Sequence, residues 1–371
     1  MRLLFTSTVG LGHLLPLLPV ALAARAAGHE VTIATAQRHA DRLIALGLRH
    51  WEIGETAEQD RRAVQRPDDP EAGPTAVFGR LNPLAALPAM QSIVEEWRPD
   101  VLFSEGAEFA GGMVADLHGL PVIRVHPGMS GGGLWEALVA SSLSQIRAEL
   151  GLAADPHARR LLDVPQISYF PESFERPASC SSRAVRIRPT LAESRPAERE
   201  PSVYITFGTE IVGMPFFPAL ARDAVTAVRT AGLRPVLAAG HADLGELANL
   251  GDTRIESWVN QDELLPRVRA VICHGGAGTT LGALTAGTPI IAVPFFADQP
   301  FNAERISATR TGLNVSPGEH LAERLSSALH EVLTNTPDGC EFMANEIRSL
   351  PGPTSALNLA TTLQSAMVRT V

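Results

Sequence analysis

The chain has no lysine: all 31 of its basic Lys-plus-Arg positions are arginine. That absence excludes a P-loop, whose glycines need a following lysine on the phosphates. It excludes Schiff-base and pyridoxal-phosphate chemistry too, since both use a lysine amine. Cysteine is scarce. Cys180, Cys273 and Cys340 lie far apart and make neither a disulfide framework nor a metal cluster, which fits a reduced cytoplasm. No apolar run reaches transmembrane length, so no membrane partner is expected. The opening Met1–Phe5 starts like a signal peptide, but Gly10, Gly12 and His13 interrupt it, and it reads as the first strand of a folded domain. There is no surplus of positive charge. The formal charge is −9, which argues against nucleic acid as a partner. The 371 residues are 45% hydrophobic, enough for full cores in one very large domain or two ordinary ones.

The most informative stretch runs from Ala270 to Pro289. Residues 270–273 are a short apolar run suited to a buried parallel strand. Gly275, Gly276 and Gly278 free the backbone for a sharp turn. Thr279 opens an apolar helical pattern that Gly287 and Pro289 end. A helix start with unpaired N–H groups, small residues, Thr279, Thr280 and His274 is an anion site, suited to a phosphate or pyrophosphate.

Around this stretch, strands and helices alternate, which predicts parallel sheets covered on both faces. Strands are expected at 2–6, 30–35, 48–53, 100–104, 121–125 and 166–170, with a short one at 185–187. His13 is expected to open a helix reaching about Ala27, at the edge of strand one. The positive end of a helix dipole favours the neutral imidazole, the form that takes a proton, so His13 suits a general base. The Gly10-Leu11-Gly12-His13 run is not a dinucleotide fingerprint, because Leu15 stands where the third glycine belongs. Residues 54–84, rich in Arg, Asp, Glu and Pro, read as a long loop. Residues 175–201, dominated by Pro and charge, read as a linker.

The alternation restarts after the linker with strands at 203–207, 234–239, 254–256 and 290–293. Gly208 and Thr209 should face the same site as His274, since ligands bind at the carboxyl ends of such strands. Trp258 can stack on a base or simply pack. Asp298 and Gln299 offer acceptors and donors for sugar hydroxyls. Residues 303–350 read as helices with loops, and 354–369 as a last helix.

His274-Gly275-Gly276-Ala277-Gly278-Thr279-Thr280, followed by Pro294 and Ala297-Asp298-Gln299, resembles the donor signature of GT-B nucleotide-sugar glycosyltransferases, and most of all the inverting actinobacterial enzymes that attach deoxysugars to antibiotics. The resemblance covers nearly the whole chain. It implies α/β architecture: two doubly wound, Rossmann-like domains facing across a cleft. Residues 1–187 would hold the acceptor, 188–201 link, 202–353 hold the nucleotide sugar, and 354–371 cross back to the first domain. It implies His13 as catalytic base with an acidic partner after the fourth strand. Many members carry Asp there; this chain offers Glu105, with Glu108 as the second candidate. It places Gly12, Gly208, Thr209, Trp258, Val259, Gln261, His274, Gly275, Gly276, Gly278, Thr279, Asp298 and Gln299 at the donor. Asn260 departs from the Pro of many members.

The expected activity is transfer of a sugar from a TDP- or UDP-sugar, TDP by resemblance alone, to a hydroxyl of a small natural-product aglycone. No metal and no cofactor beyond the nucleotide sugar is expected. An epimerase of the same fold and a non-catalytic partner of another transferase are the alternatives. Oligomeric state stays open, a homodimer included.

Overall fold

The computed structural model describes residues 1–64, 72–130, 134–175, 184–189, 198–243, 245, 247 and 250–368. The chain forms two compact units. The first comprises Met1–Tyr169, Pro177–Thr190 and Pro351–Val371; the second comprises Phe170–Arg176 and Leu191–Leu350.

The first unit holds β1 (Arg2–Thr6), β2 (Glu30–Thr35), β3 (Arg49–Glu52), β4 (Val101–Glu105), β5 (Val122–Val125), β6 (Gln166–Ser168) and β7 (Ala184–Arg186). They lie in the order β3-β2-β1-β4-β5-β6-β7, all parallel. A parallel sheet is buried on both faces, so the middles of its central strands are apolar. Leu3, Leu4 and Phe5 are fully buried, and Phe5 stacks on Phe103, its register partner in β4, with ring centroids 4.5 Å apart.

The second unit holds β8 (Ser202–Thr206), β9 (Arg234–Ala238), β10 (Arg254–Glu256), β11 (Ala270–Cys273), β12 (Ile290–Ala292) and β13 (Gly312–Asn314). Their order is β10-β9-β8-β11-β12-β13, again all parallel. Helices Phe217–Thr230 and Leu321–Thr334 bury Leu220, Val225, Leu325 and Leu329 against Ile205 and Leu237 in one core. Each sheet reverses its strand order at one central pair, β1 with β4 and β8 with β11. The crevice at such a reversal is where open α/β sheets bind ligands.

The sequence-based expectations need four corrections. Residues 54–84 are not a loop. Helices Glu58–Ala63 and Ala72–Ala76, a π-helical stretch Val77–Leu81 and the helix Asn82–Trp97 occupy most of them. Their apolar side chains are too few to show a period, yet this stretch packs closely: a Cβ on Gly79 would lie 3.1 Å from Val139 Cβ. The short strand β13 was missed inside 303–350 because three residues are too few for a pattern. The helix expected to open at His13 begins at Leu11, and the one expected at Thr279 begins at Ala277. Finally, residues 170–176, expected in the first domain, belong to the second unit, where Arg305 donates to the Phe174 carbonyl at 2.6 Å.

Residues 65–71, Gly131–Gly133 and most of the expected linker (176–183 and 190–197) lie outside the described residues. The helix Ser355–Val368 belongs to the first unit, where it meets β4 and the helix Leu18–Ala26. No helix among the described residues is long and apolar enough to cross a membrane.

Candidate active site

In the first unit, β1 ends at Thr6 and β4 at Glu105, side by side in the sheet. The loop after β1 turns at Gly10 into a short helix, Leu11–Leu14, which carries His13. Gly10 is needed there, because a Cβ on it would sit 2.9 Å from His13 Cδ2. His13 Nδ1 lies 2.9 Å from Glu105 Oε1. Glu105 is fully buried and also accepts from the Ala107 N–H at 2.8 Å and the Thr8 hydroxyl at 3.5 Å. A carboxylate only accepts, so the pairing assigns the ring proton to Nδ1 and leaves Nε2 as the basic nitrogen. The choice between the two acidic candidates therefore falls on Glu105. Gly12 is exposed, with nothing within 4 Å of where a Cβ would be.

Glu108 turns the other way. It accepts from the Thr6 hydroxyl at 2.5 Å and from the Gly111 N–H at 3.0 Å, and it is buried. Burial pushes its carboxyl up and the nearby Glu105 adds to this, against the bonds from Thr6, Gly111 and Ala110. An acid raised in the folded state stabilises fully below its unfolded value and loses that contribution as pH rises through its folded one. Replacing Glu108 with Gln should therefore flatten the fall in melting temperature as pH rises above 4.5, the ordinary glutamate value. Parallel melting curves for the two proteins across that range would refute it.

Beside His13 stands Phe78, from the π-helical stretch, with ring centroids 5.6 Å apart. Trp135 meets Phe78 edge-on at 5.8 Å. Of the other residues of the helix Leu134–Glu149 that could line a pocket, Leu138 is exposed, whereas Leu143 and Ile146 are core. A cavity of about 370 Å³ lies elsewhere in this unit, lined by Met113, Arg124, Leu143 and Leu363 and reaching the starts of β5 and β6. The dyad sits at strand C-terminal ends, so this cavity is not its pocket.

In the second unit, β11 and β8 end together at Cys273 and Thr206. His274 follows Cys273, and the tip of its ring lies against two glycines. A Cβ on Gly208, itself at φ +72°, would lie 2.7 Å from His274 Nε2, and one on Gly276 would overlap the same atom. These glycines thus make room for the imidazole, which adds to the expectation that small residues serve close approach of a ligand. Gly275 sits at φ +81°. The helix Ala277–Ala286 starts without a side-chain cap, so the N–H groups of its first turn have no partner within the helix. Its C-terminal end is closed by Gly287 in the left-handed region and by Arg199, which donates to the Ala286 and Gly287 carbonyls.

Burial pushes the His274 imidazole down to about 4, against a smaller opposing pull from the Thr206 backbone. At neutral pH the ring is uncharged. The positive potential of the ligand-free site therefore comes from the unpaired backbone N–H groups and the helix dipole.

The remaining expected donor residues divide by exposure. Thr209, Gly278 and Asp298 are exposed, and Trp258 is 61% exposed, which leaves much of its ring open. Val259 is half-buried. Gln261 donates to the Thr279 and Tyr204 hydroxyls, both at 3.3 Å, tying the helix start to β8. Gln299 departs from expectation. It is buried, and its side-chain oxygen accepts from the N–H groups of Phe295 at 2.9 Å and Phe296 at 3.3 Å. That oxygen is spent holding its own loop, leaving Asp298 as the better candidate for a sugar hydroxyl. Asp298 makes no side-chain cap to its helix. Two neighbours are not singled out by the sequence: Phe78, inside the segment expected to be a loop, and Asn302. Asn302 lies four residues after Asp298, a spacing that brings side chains together on a helix and could have flagged it. Among the described residues no group of three or more His, Cys, Asp or Glu could hold a metal ion.

Two parallel α/β units, one with a His–carboxylate pair at its switch point and one with a glycine-rich helix start at its own, define a two-domain transferase of the GT-B class. The comparisons with known proteins narrow this. Residues 236–363 match the family described as "Erythromycin biosynthesis protein CIII-like, C-terminal domain". The elloramycin glycosyltransferase ElmGT of Streptomyces olivaceus is 32% identical over 374 residues, covering 95% of both chains. The L-demethylnoviosyl transferase of Streptomyces niveus is 30% identical over 353 residues, covering 91% of both. Among solved structures, the calicheamicin glycosyltransferase CalG4 superposes with a TM-score of 0.82 at 23% identity, covering 98% of each chain. The glycosyltransferase SsfS6 of Streptomyces sp. SF2575, complexed with thymidine diphosphate, gives 0.77 at 22% identity over 98% of this chain and 99% of that one. The chain belongs to the family of antibiotic glycosyltransferases, enzymes that move a sugar from a nucleotide sugar to a natural-product aglycone.

Proposed function

We propose that this chain is an inverting glycosyltransferase that moves a deoxysugar from TDP to a hydroxyl of a planar, largely apolar aglycone, with His13 as general base. The observation that carries it is the His13–Glu105 pair, 2.9 Å apart, at the carboxyl ends of β1 and β4. His13 Nε2 takes the proton of the acceptor hydroxyl. Its oxygen bonds to the anomeric carbon from the face opposite the diphosphate, and the C–O bond to the diphosphate breaks with its electron pair. Glu105 holds the imidazole through Nδ1 and stabilises the imidazolium. Phe78 and Trp135 offer the acceptor an aromatic wall.

The leaving diphosphate gains charge, and the N–H groups at Ala277, Gly278 and Thr279 would receive it. Trp258 would stack on the base and Asp298 would bind a sugar hydroxyl. TDP is favoured by the SsfS6 complex with thymidine diphosphate, and a deoxysugar by the noviosyl and mycarosyl transferases among the relatives. No metal step is invoked, and TDP binding should survive a chelator.

Calorimetry tests the donor half directly. A diphosphate beside His274 favours its protonated form, so binding of TDP-glucose, whose diphosphate has no group of its own titrating near pH 6, should draw in a fraction of a proton there. The binding heat then varies with the ionisation enthalpy of the buffer, and the variation vanishes in His274→Ala. No TDP binding with chelator present, or uptake that persists in the variant, would count against this donor site.

A further inference from the structure

We propose that Asn302 is a positioning residue that fixes the diphosphate-side loop and the sugar-side loop to one another. The side chain is fully buried. Its single amide nitrogen donates twice, to the Gly275 carbonyl at 2.8 Å and to Asp298 Oδ2 at 2.8 Å. Gly275 lies on the turn after β11 and Asp298 on the turn after β12, neighbours in the sheet. An amide NH₂ carries two N–H donors and can bridge two acceptors at once.

The oxygen of the same amide shows what the residue is for. Asn302 Oδ1 is buried and has no hydrogen-bond partner. A buried acceptor left unpaired is unfavourable, so a position that needed only packing would be filled better by Leu or Met. The unmet oxygen is tolerated while the nitrogen keeps both bonds. The loop it holds is otherwise costly to hold: Ala297, just before Asp298, sits at φ +57°, a region a non-glycine residue rarely adopts. Gln299 braces that loop from the other side through the Phe295 and Phe296 N–H groups. Asp298 itself is exposed, and the bond from Asn302 favours one rotamer of its carboxylate. Asn302 thus selects the carboxylate orientation that the sugar meets, without touching the donor itself.

This inference rests on the reading of Asp298 as a contact to the donor sugar, and the test separates the two. TDP and TDP-glucose binding would be measured by calorimetry on the natural protein, Asn302→Asp, Asn302→Leu, Asp298→Ala and Asn302→Leu/Asp298→Ala. Asn302→Asp keeps the shape and removes both donated bonds; Asn302→Leu controls for the added charge, and melting temperatures check the fold. Both single variants at 302 should lose about 10-fold or more in affinity for TDP-glucose relative to TDP, the scale of a lost bond to a charged group. Asn302→Leu should leave the TDP-glucose to TDP affinity ratio unchanged once Asp298 is Ala, since only the Gly275 bond is then left to lose. Equal weakening of TDP and TDP-glucose, or additive losses in that ratio in the double variant, would overturn the inference while leaving the donor site standing. If Asp298→Ala alone leaves the TDP-glucose to TDP ratio unchanged, the reading of Asp298 fails and the inference with it.

Discussion

His13→Ala should abolish sugar transfer while leaving TDP binding intact. General-base catalysis contributes about 10²- to 10⁴-fold, and alanine leaves no group in that position to take the acceptor proton. The variant is a clean one structurally. His13 is partly exposed, and its helix is only four residues long, so little packing is lost. Glu105→Gln is the companion. An amide there can offer N–H where the carboxylate accepts, which favours the wrong ring tautomer and puts the proton on Nε2. It should lower turnover nearly as far, again with TDP affinity unchanged. The assay is TDP release with a panel of planar phenolic acceptors, alongside calorimetry of TDP alone. Turnover within threefold of the natural protein in His13→Ala would remove the base from the mechanism.

Gly276→Ala should damage the donor site more than His274→Ala does. The added methyl falls on the His274 ring, whose tip also lies close against Gly208. Overpacking of this kind costs about 1–3 kcal/mol, roughly 5- to 150-fold in TDP affinity if the bound form bears it. His274→Ala removes one neutral imidazole and leaves the helix N–H groups in place. The informative protein is the double variant. With the ring gone, the methyl has space, so His274→Ala/Gly276→Ala should bind TDP better than Gly276→Ala alone. Two independent losses would instead add. An additive double variant would mean that Gly276 serves close approach of the ligand and not the housing of the ring.

Much of this site was legible beforehand because its chemistry is local. The order strand, glycine turn, helix at 270–287 follows from residues adjacent in sequence, and so does the first strand with its Gly-x-Gly-His turn. Glu105 was legible as one of two candidates. Choosing between it and Glu108 needed the pairing of β1 with β4, which brings together residues about ninety positions apart. Phe78 was hidden because the period of its segment is broken by Pro and charge, and only packing against the helix Leu134–Glu149 reveals it as structured. The bonds of the Gln299 oxygen to its own loop were not legible, because an amide next to an aspartate offers the same groups to a sugar or to its own loop.

Local order alone determined the two alternating α/β halves, the glycine turn into an uncapped helix start, and the exclusion of lysine chemistry, because each depends on near neighbours and composition. The tertiary structure decided which carboxylate faces His13, that His274 is neutral, and that Asn302 joins two loops. Those properties come from burial and from contacts between distant segments, and neither is written in the spacing of residues along the chain.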